Sequence, residues 1–432
     1  MLTPSSFLRI PTSFIGCMVM ISSPFFVGCS IETATKGQAN ESSLNQTTEV
    51  LSLESAPPEL GVSSGTYDFK KNPKLLSRIL AGPHGYFRFV SGAFSLAVCG
   101  RFQERLSSIP VVNLHGDAHL EQYAVTDTGR GLTDFDRSTR GMAYLDHVRF
   151  GVSIHLACLA NGWAGQERAI VAEFFHGYYA ALKDPQMLSP PPALVNRIRD
   201  TFSNDHSWLL KRAEGLMEPM ERTEDEVKQA MQDYARQMLE QDPGITSSFF
   251  SVKKTGRLRL GIGSALDEKY LIRIEGATAA PEDDLILEAK EIRELDGIGC
   301  IEITSAEPER ILKGQARIAY EPQRYAGYFV MQPLKSPSQT KTFWVFAWDD
   351  DYEELSINKS FESLEDLRSI SYDVGVQLGL GHPKGMGEPD EVALRRTLSQ
   401  VTGQLDDDLQ RVIQELTHQT IVGWQQFCAE NG

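Results

Sequence analysis

The sequence lacks an excess of positive charge. Its 58 acidic residues outnumber its 42 basic residues, and the formal net charge at pH 7 is −16. Nucleic acids and anionic lipid surfaces attract basic proteins, so this balance argues against both as electrostatic partners. The chain also shows no internal repeat, which argues against a repeat architecture. With 432 residues, 41% of them hydrophobic, it can bury a substantial core as one large unit.

Cysteine is scarce, and the six cysteines fall into two groups. Two lie near the N-terminus, and the folded part contains Cys99, Cys158, Cys300 and Cys428. Four cysteines allow three ways of forming two disulfides. The sequence does not choose among these pairings or between disulfides and buried free thiols.

The N-terminus lacks the uninterrupted apolar run of a transmembrane helix. Residues 10–28 are apolar but are diluted by serine and proline, and Arg9 precedes them. The stretch resembles a bacterial lipoprotein signal that ends at Gly28, with Cys29 as the lipidated first residue of the mature protein. Residues 30–64 are polar and contain no aromatic residue, which predicts a flexible tether.

We therefore expect an exported protein that is held on a membrane by its N-terminal lipid alone. Ser30 follows Cys29 at the position where a retention signal would ordinarily have Asp. In a cell with two membranes, the expected location is the outer membrane, facing the periplasm.

The residues that carry chemistry concentrate in the segment NLHGDAHLEQYAVTDTGRGLTDFDRSTRGMAYLDHVRF, residues 113–150. A short apolar run at residues 111–112 is interrupted by the triplet HGD at 115–117, and a second short run ends in Asp134 and Asp136. A strand, a loop and a second strand would bring these carboxylates together. The segment is therefore interpreted as an active-site loop.

Phosphoryl transfer needs a carboxylate that orients or deprotonates the attacking hydroxyl, and oxygen ligands that hold Mg²⁺ against the phosphates. The motifs HGDAH, TDFD and GMAYLD resemble the catalytic core of the aminoglycoside-phosphotransferase branch of the protein-kinase-like superfamily. The resemblance implies that Asp117 is the catalytic base, Asp134 the principal magnesium ligand and Asp146 a structural aspartate that braces the loop. Gln122 stands where the branch has a metal-binding Asn, so it is the candidate for the second metal contact.

Three further residues of the same motifs enter the candidate site. His115 accompanies Asp117 in the catalytic group, and His119 and Asp136 are expected to support the site together with Asp146.

A kinase-like site also needs a glycine-rich turn over the phosphates and a lysine on a neighbouring strand. A turn with little side-chain bulk follows residue 260, and its candidate phosphate contacts are Gly261, Gly263 and Ser264. The alternating segment DLILEAKE predicts a strand that ends near Lys290, the candidate lysine. The glycines are also consistent with an ordinary hairpin, since the third glycine that kinases often carry is absent.

The order of the elements after the motif segment is that of a kinase small lobe. The predicted elements are strands 257–260 and 270–274, the lysine strand, helix 308–320, strands 328–332 and 342–347, and helix 364–380. In aminoglycoside phosphotransferases a helix like the last one leads into the HGD loop, whereas here the loop comes first. We therefore predict an α+β, two-lobed protein-kinase-like fold with a circularly rotated order of elements, in which the helical catalytic lobe precedes the glycine-loop β lobe.

This order of motifs resembles the bacterial domain-of-unknown-function 2252 family, which is grouped with the kinase-like proteins. The features that carry the resemblance are HGDAHLEQY early in the chain, the GxGS turn midway, the EAKE strand, PHGYFRFVSG and GQARIAY. They span residues 67–385. Because this family has no established reaction, the resemblance implies a fold more than a function.

The chain divides into five predicted segments. They are a lipoprotein signal peptide at residues 1–28, a tether at 29–64, a helical catalytic lobe at 65–245, a β-rich nucleotide-binding-like lobe at 246–350, and C-terminal helices at 351–432 that complete the large lobe.

Three functions remain open on the sequence. The first is phosphoryl or nucleotidyl transfer with Mg²⁺ and ATP or another nucleotide, and in a compartment poor in ATP the donor would be exported or different from ATP. The second is a catalytically idle kinase-like protein that binds a ligand or a protein, which Gln122 and the missing third glycine favour. The third is a metal-dependent hydrolase in which His115, Asp117 and His119, together with Asp134, bind the metal.

The joint presence of Asp117, Asp134 and Lys290 favours the first function, because an idle scaffold would be free to lose any of them. The acceptor and the oligomeric state are not readable from the sequence. The acidic composition hints only weakly at a cationic acceptor.

Overall fold

The computed structural model describes residues 59–62, 67–220, 223–259, 262, 267–332, 340–386 and 390–432. Within these residues the chain combines helices with antiparallel sheets, which is the expected α+β class. The predicted lipidation site Cys29, the predicted signal peptide and the predicted turn residues Gly261, Gly263 and Ser264 lie outside the described residues.

The helices of the described residues follow the apolar spacing of the sequence. In chain order they are α1 (Pro73–Leu80), α2 (Pro83–Phe89), α3 (Ser91–Arg101), α4 (Tyr144–Ala160), α5 (Glu167–Lys183), α6 (Ala193–Arg199), α7 (His206–Leu216), α8 (Thr223–Gln241), α9 (Pro308–Ile318), α10 (Leu364–Gly381), α11 (Glu391–Gln404) and α12 (Asp406–Asn431).

The strands form three sheets. In chain order they are β1 (Val111–Leu114), β2 (Tyr123–Thr126), β3 (Arg130–Leu132), β4 (Thr139–Met142), β5 (Val252–Arg257), β6 (Lys269–Ile274), β7 (Leu285–Glu291), β8 (Gly327–Met331), β9 (Lys341–Ala347) and β10 (Tyr352–Glu354). β1 pairs with β4, β2 lies between β10 and β3, and the third sheet has the order β5-β6-β7-β9-β8.

The five-stranded sheet is antiparallel between all neighbours. Helix α9 follows β7 in the chain and precedes β8, so the predicted order of strands and helix is confirmed. The bounds predicted for the first strand, 257–260, are wrong because β5 ends at Arg257. β5 is an edge strand whose Lys253 and Lys254 are exposed, so it has no clear apolar alternation that would mark its bounds in the sequence.

Alternation along the strands gives this sheet two different faces. One face is apolar and packs against α8, as Tyr270, Leu287 and Phe343 illustrate. The opposite face carries Lys269 and Lys290, which are directly opposed on β6 and β7. That second face is turned toward the loop that carries Asp134 and Asp136.

The largest apolar core cluster includes residues of α4, α5, α10 and α12 and lies beneath the motif segment. Helix α10 begins with a capping box, in which Ser363 and Asp366 exchange side-chain and backbone hydrogen bonds. α4 begins two residues before Asp146 and is buried along nearly its whole length, so it anchors the motif segment in this core.

A disulfide bond between Cys99 and Cys300 joins α3 to the segment that follows β7, across 201 residues of sequence. Cys158 on α4 is a buried free thiol. None of the helices in the described ranges combines the length and the apolar composition needed to cross a lipid bilayer.

Candidate functional site

The HGD loop follows β1 and is held by a buried carboxylate. Asp146, at the start of α4, accepts hydrogen bonds from the backbone N–H groups of His115 and Gly116 at 2.7 and 2.8 Å. Gly116 has a φ of +83°, and a Cβ there would lie 2.1 Å from the carbonyl oxygen of Arg137, so only glycine fits this turn. Asp146 therefore holds the backbone of the HGD loop through two hydrogen bonds.

A second buried histidine completes this arrangement. His382 follows α10, and its Nε2 donates to Asp146 Oδ2 at 3.2 Å, while the Tyr178 hydroxyl donates to its Nδ1 at 3.0 Å. Burial alone would raise the pKa of Asp146, but the hydrogen bond from His382 brings that pKa below its usual value. The loop is thus braced by an ionised carboxylate rather than by a neutral acid.

His115 is engaged on both ring nitrogens. Nε2 lies 2.8 Å from the carbonyl oxygen of Thr133 and must donate to it, and Nδ1 accepts from the backbone N–H of Asp117 at 3.3 Å. The ring also packs against Phe135. His115 therefore links the HGD loop to the segment that carries Asp134 and has no ring nitrogen left for a metal.

Asp117 forms an ion pair with Arg149, whose Nε donates to Asp117 Oδ1. Arg149 lies on α4, is 2% exposed, and places its guanidinium over the ring of Phe87 at 4.1 Å. Burial lowers the pKa of Arg149, although the charge of Asp117 opposes this. A buried guanidinium that faces a carboxylate fixes the direction in which that carboxylate points.

Asp134 adopts the left-handed backbone conformation, with a φ of 58°. Non-glycine residues rarely adopt this conformation outside functional or strained turns. Lys290 on β7 reaches this turn, and its Nζ donates to Asp134 Oδ1 at 2.6 Å and to Asp136 Oδ2 at 2.8 Å. The structure thus brings together three candidate residues that are 156 positions apart at most.

The three charges perturb one another. Burial would raise the pKa of Asp134, but the ammonium of Lys290 holds it below its usual value. Burial and the nearby charge of Asp134 raise the pKa of Asp136. Burial would lower the pKa of Lys290, but the two carboxylates raise it well above its usual value. Both carboxylates thus face the same lysine, and each of the three pKa values depends on the other two charges.

Helix α9 clamps the loop from the other side. Arg310 donates through Nη1 to the carbonyl oxygens of Asp136 and Ser138, both at 2.7 Å, and through Nη2 to that of Arg293 at 2.8 Å. A Cβ at Gly314 would lie 1.7 Å from Ser138 Oγ, so the glycine allows the helix to approach this closely. Arg310 is 3% exposed and ties the loop of Asp136 to the segment that follows Lys290.

The remaining candidates, Gln122 and His119, are buried near the loop, and within the described ranges neither side chain contacts Lys290. The backbone carbonyl of Gln122 accepts from the N–H of Thr133 at 2.8 Å, and the Gln122 residue is 3% exposed. His119 is fully buried beside His84 and Phe87, and burial holds its pKa well below the usual value. Among the described residues, no group of three or more His, Cys, Asp or Glu side chains is arranged to share a metal ion.

A protein-family model described as an uncharacterized protein conserved in bacteria, DUF2252, matches residues 73–198 and 192–430. The chain belongs to the DUF2252 family. No curated protein and no solved structure matches the chain. The matched ranges of the DUF2252 model contain the HGD loop, the turn at residues 134–136, here called the acidic turn, and the lysine strand β7, whereas Cys29 lies before them.

Two arginines in the site of this DUF2252 protein were missed by sequence reasoning, as was His382 beside Asp146. Arg149 is the charged residue in the apolar helix after Asp146, and Arg310 lies on the buried side of α9. A charged residue at a position that the helical period assigns to the core was the available signal, because such a charge requires a partner. The partners themselves, a side chain for Arg149 and backbone carbonyls for Arg310, have no signature in the sequence.

Proposed function

We propose that this DUF2252 protein is an exported, kinase-like phosphotransferase, in which Lys290 and Mg²⁺ hold the donor phosphates and Asp117 acts as the base. The observation that carries the proposal is the pair of contacts from Lys290 Nζ to Asp134 and Asp136. In protein kinases a lysine on the third strand contacts the donor phosphates and a nearby aspartate holds Mg²⁺, and Lys290 and Asp134 are the candidates for these two roles. The acceptor hydroxyl would lie against Asp117.

The donor set around Asp134 suits Mg²⁺. Asp134 and Asp136 offer carboxylate oxygens, the ligands that Mg²⁺ prefers, and their side chains are 32% and 17% exposed. Gln122 is the further oxygen donor implied by the kinase resemblance. The ion would supply charge neutralisation at the phosphates, and Lys290 would keep the two carboxylates oriented toward it.

Asp117 has the support that a base needs. The backbone of its loop is fixed by Asp146, and its carboxylate is held by Arg149. The contact with Arg149 is made by Oδ1 of Asp117, and Oδ2 takes no part in it. We assign Oδ2 as the atom that receives the acceptor proton, and Arg149 as the positioning residue of the base.

The Cys99–Cys300 disulfide supports an exported location. Disulfides form and persist in oxidising compartments and are rare in the cytosol. This bond favours the exported lipoprotein predicted from the sequence around Cys29, and the donor would then be an exported nucleotide or another phosphate compound.

The same contacts also support a second candidate, a kinase-like protein that binds a ligand without catalysis. Asp117 and Lys290 each already have ionic partners within the protein, so both charges are satisfied with no substrate. The metal-dependent hydrolase is not favoured, because both ring nitrogens of His115 form hydrogen bonds and His119 is fully buried.

Titration calorimetry of phosphate donors with Mg²⁺ tests the proposal. We expect the wild-type protein to bind a donor only in the presence of Mg²⁺. In Asp134→Asn, adding Mg²⁺ should no longer increase the affinity for the donor. Lys290→Met should weaken donor binding. Asp117→Asn should bind as the wild type does but lose slow transfer of phosphate to water, which release of inorganic phosphate reports.

Lys254→Met serves as the matched control. Lys254 lies on β5 of the same sheet and pairs with Glu214 at the surface, away from the acidic turn. It should leave donor binding unchanged. A folded wild-type protein that binds no phosphate donor with Mg²⁺ would overturn the phosphotransferase proposal and favour the ligand-binding alternative.

A further inference from the structure

The sheet face that carries Lys290 is charged beside the acidic turn. Lys269 lies directly opposite Lys290 on β6, and Glu288 lies two residues before Lys290 on β7, so the three side chains share this face. Lys269 and Lys290 are 4% and 3% exposed. Burial and the ammonium of Lys290 lower the pKa of Lys269, and burial raises that of Glu288. Such a surface does not provide the apolar wall that a planar base prefers.

The apolar remainder of this face is filled by the protein itself. Leu271 and Ile286 are fully buried and pack with Leu209 of α7 in a separate small core cluster. Trp348 packs into the same cluster, and its indole Nε1 donates to Glu288 Oε2 at 2.8 Å. A base at this position would have to displace the Trp348 side chain and leave the buried Glu288 carboxyl without this donor.

The aromatic pair on the same face is equally inaccessible. Trp344 and Phe346 stack with 4.4 Å between ring centroids, yet their exposures are 0% and 9%. The side chains of Asp134 and Asp136, by contrast, are 32% and 17% exposed. Within the described part of the chain, a ligand that approaches Lys290 along this face therefore meets charged groups first.

We propose that the site recognises its donor through the phosphate groups alone, without a contact that selects a nucleobase. The inference rests on the proposed phosphotransferase function and names the class of its donor. That class is a phosphoanhydride chain, which is present both in inorganic polyphosphate and in the tail of any nucleoside triphosphate. Two adjacent lysines behind two carboxylates suit a chain of phosphates that carries Mg²⁺.

The ring of Tyr352 is the exposed surface on which a nucleobase could stack instead. Tyr352 on β10 is 37% exposed, and its hydroxyl is held by Thr133 at 3.1 Å and by Glu354 at 3.1 Å. A base that stacks on this ring would gain affinity that inorganic phosphate chains lack. The comparison of donors distinguishes the two cases.

The experiment is a set of calorimetric titrations of the purified full-length protein in Mg²⁺ with ATP, GTP, inorganic tripolyphosphate and AMP. We expect ATP, GTP and tripolyphosphate to bind with Kd values within about threefold of one another, and AMP to show no binding. Lys269→Met should weaken ATP and tripolyphosphate by the same factor, whereas Lys254→Met should change neither.

The outcomes separate the two proposals. ATP that binds more than about tenfold tighter than tripolyphosphate would reveal a base contact and overturn the inference, while leaving the phosphotransferase function intact. Absence of binding by every phosphoanhydride would overturn both. Since the comparison of donors uses the wild-type protein, it decides the question even if Lys269→Met does not fold.

Discussion

Replacing Lys290 with methionine should expose how strongly the acidic turn depends on one cation. The substitution keeps the length and most of the apolar stem but removes the ammonium that contacts Asp134 at 2.6 Å and Asp136 at 2.8 Å. Breaking a buried ion pair by removing one partner costs about 3–5 kcal/mol. Because Asp134 is 32% exposed, water screens part of the loss, and we expect about 3 kcal/mol of lost unfolding free energy.

Urea unfolding at pH 7, with the disulfide intact, measures this loss. The control is Lys254→Met, because Lys254 pairs with Glu214 at 3.0 Å where the two side chains are 49% and 33% exposed. Exposed pairs contribute about 0–1 kcal/mol, so the control should be nearly neutral. In the Lys290→Met background, Asp136→Asn should recover at least about 1 kcal/mol by removing a like charge beside Asp134.

The pH dependence follows from the direction of the pKa shifts. In the wild type, the pKa of Asp134 lies below its ordinary value of 3.8, so its contribution is present above that value and is lost as pH falls through the lowered pKa. In Lys290→Met, neither carboxylate has the lysine, and both folded pKa values rise. The folded variant therefore binds protons at a higher pH than the folded wild type does. The difference in unfolding free energy between the two proteins should decrease as the pH falls toward 4.

Two results would refute this reasoning. The first is a cost for Lys290→Met no larger than that for Lys254→Met. The second is a further loss of stability on adding Asp136→Asn, which would mean that Asp136 is stabilised by something other than Lys290.

Three further predictions concern the rest of the site and its support. Arg149→Met leaves the Asp117 carboxylate buried without its partner, so it should cost about 3–5 kcal/mol in urea unfolding at pH 7, and a cost below about 1 kcal/mol would show that Asp117 has another partner. Cys300→Ala opens the bond to Cys99 and should lower the unfolding free energy by about 2–4 kcal/mol in urea unfolding at pH 7, and a loss below about 1 kcal/mol would show that this bond contributes little to the fold. Asp146→Asn removes a carboxylate whose pKa lies below 3.8 in the folded state, so the variant should be less stable than the wild type at pH 7. As the pH falls below 4, the unfolding free energy of the variant should decrease less than that of the wild type. An identical decrease in both proteins would contradict an ionised Asp146 in the folded state.

Much of the fold was readable because neighbouring residues along the chain determine it. The alternation in DLILEAKE and the three- and four-residue spacing after Leu364 correspond to β7 and α10. The strand predicted at 257–260 was misplaced, because exposed lysines interrupt the apolar pattern of β5, which lies at Val252–Arg257. Periodicity reports burial, so it fails where an edge strand faces water.

The candidate site was readable only in part. The sequence identifies Asp117, Asp134 and Lys290 as candidates by residue type and motif order. It does not show that Lys290 contacts Asp136 as well, or that Arg149 pairs with Asp117. A charged side chain can meet any opposite charge within reach, and which one it meets depends on how distant elements pack.

The sequence by itself therefore determined the element types, the acidic loop and the family, because these depend on local periodicity and on motifs of adjacent residues. The tertiary structure decided which charges meet: the lysine strand is placed on the acidic turn, α9 is clamped to the backbone of that turn through Arg310, and Trp348 fills the apolar part of the same face. The physical reason is that these contacts join residues far apart in the chain, and only packing of the whole core fixes their separation.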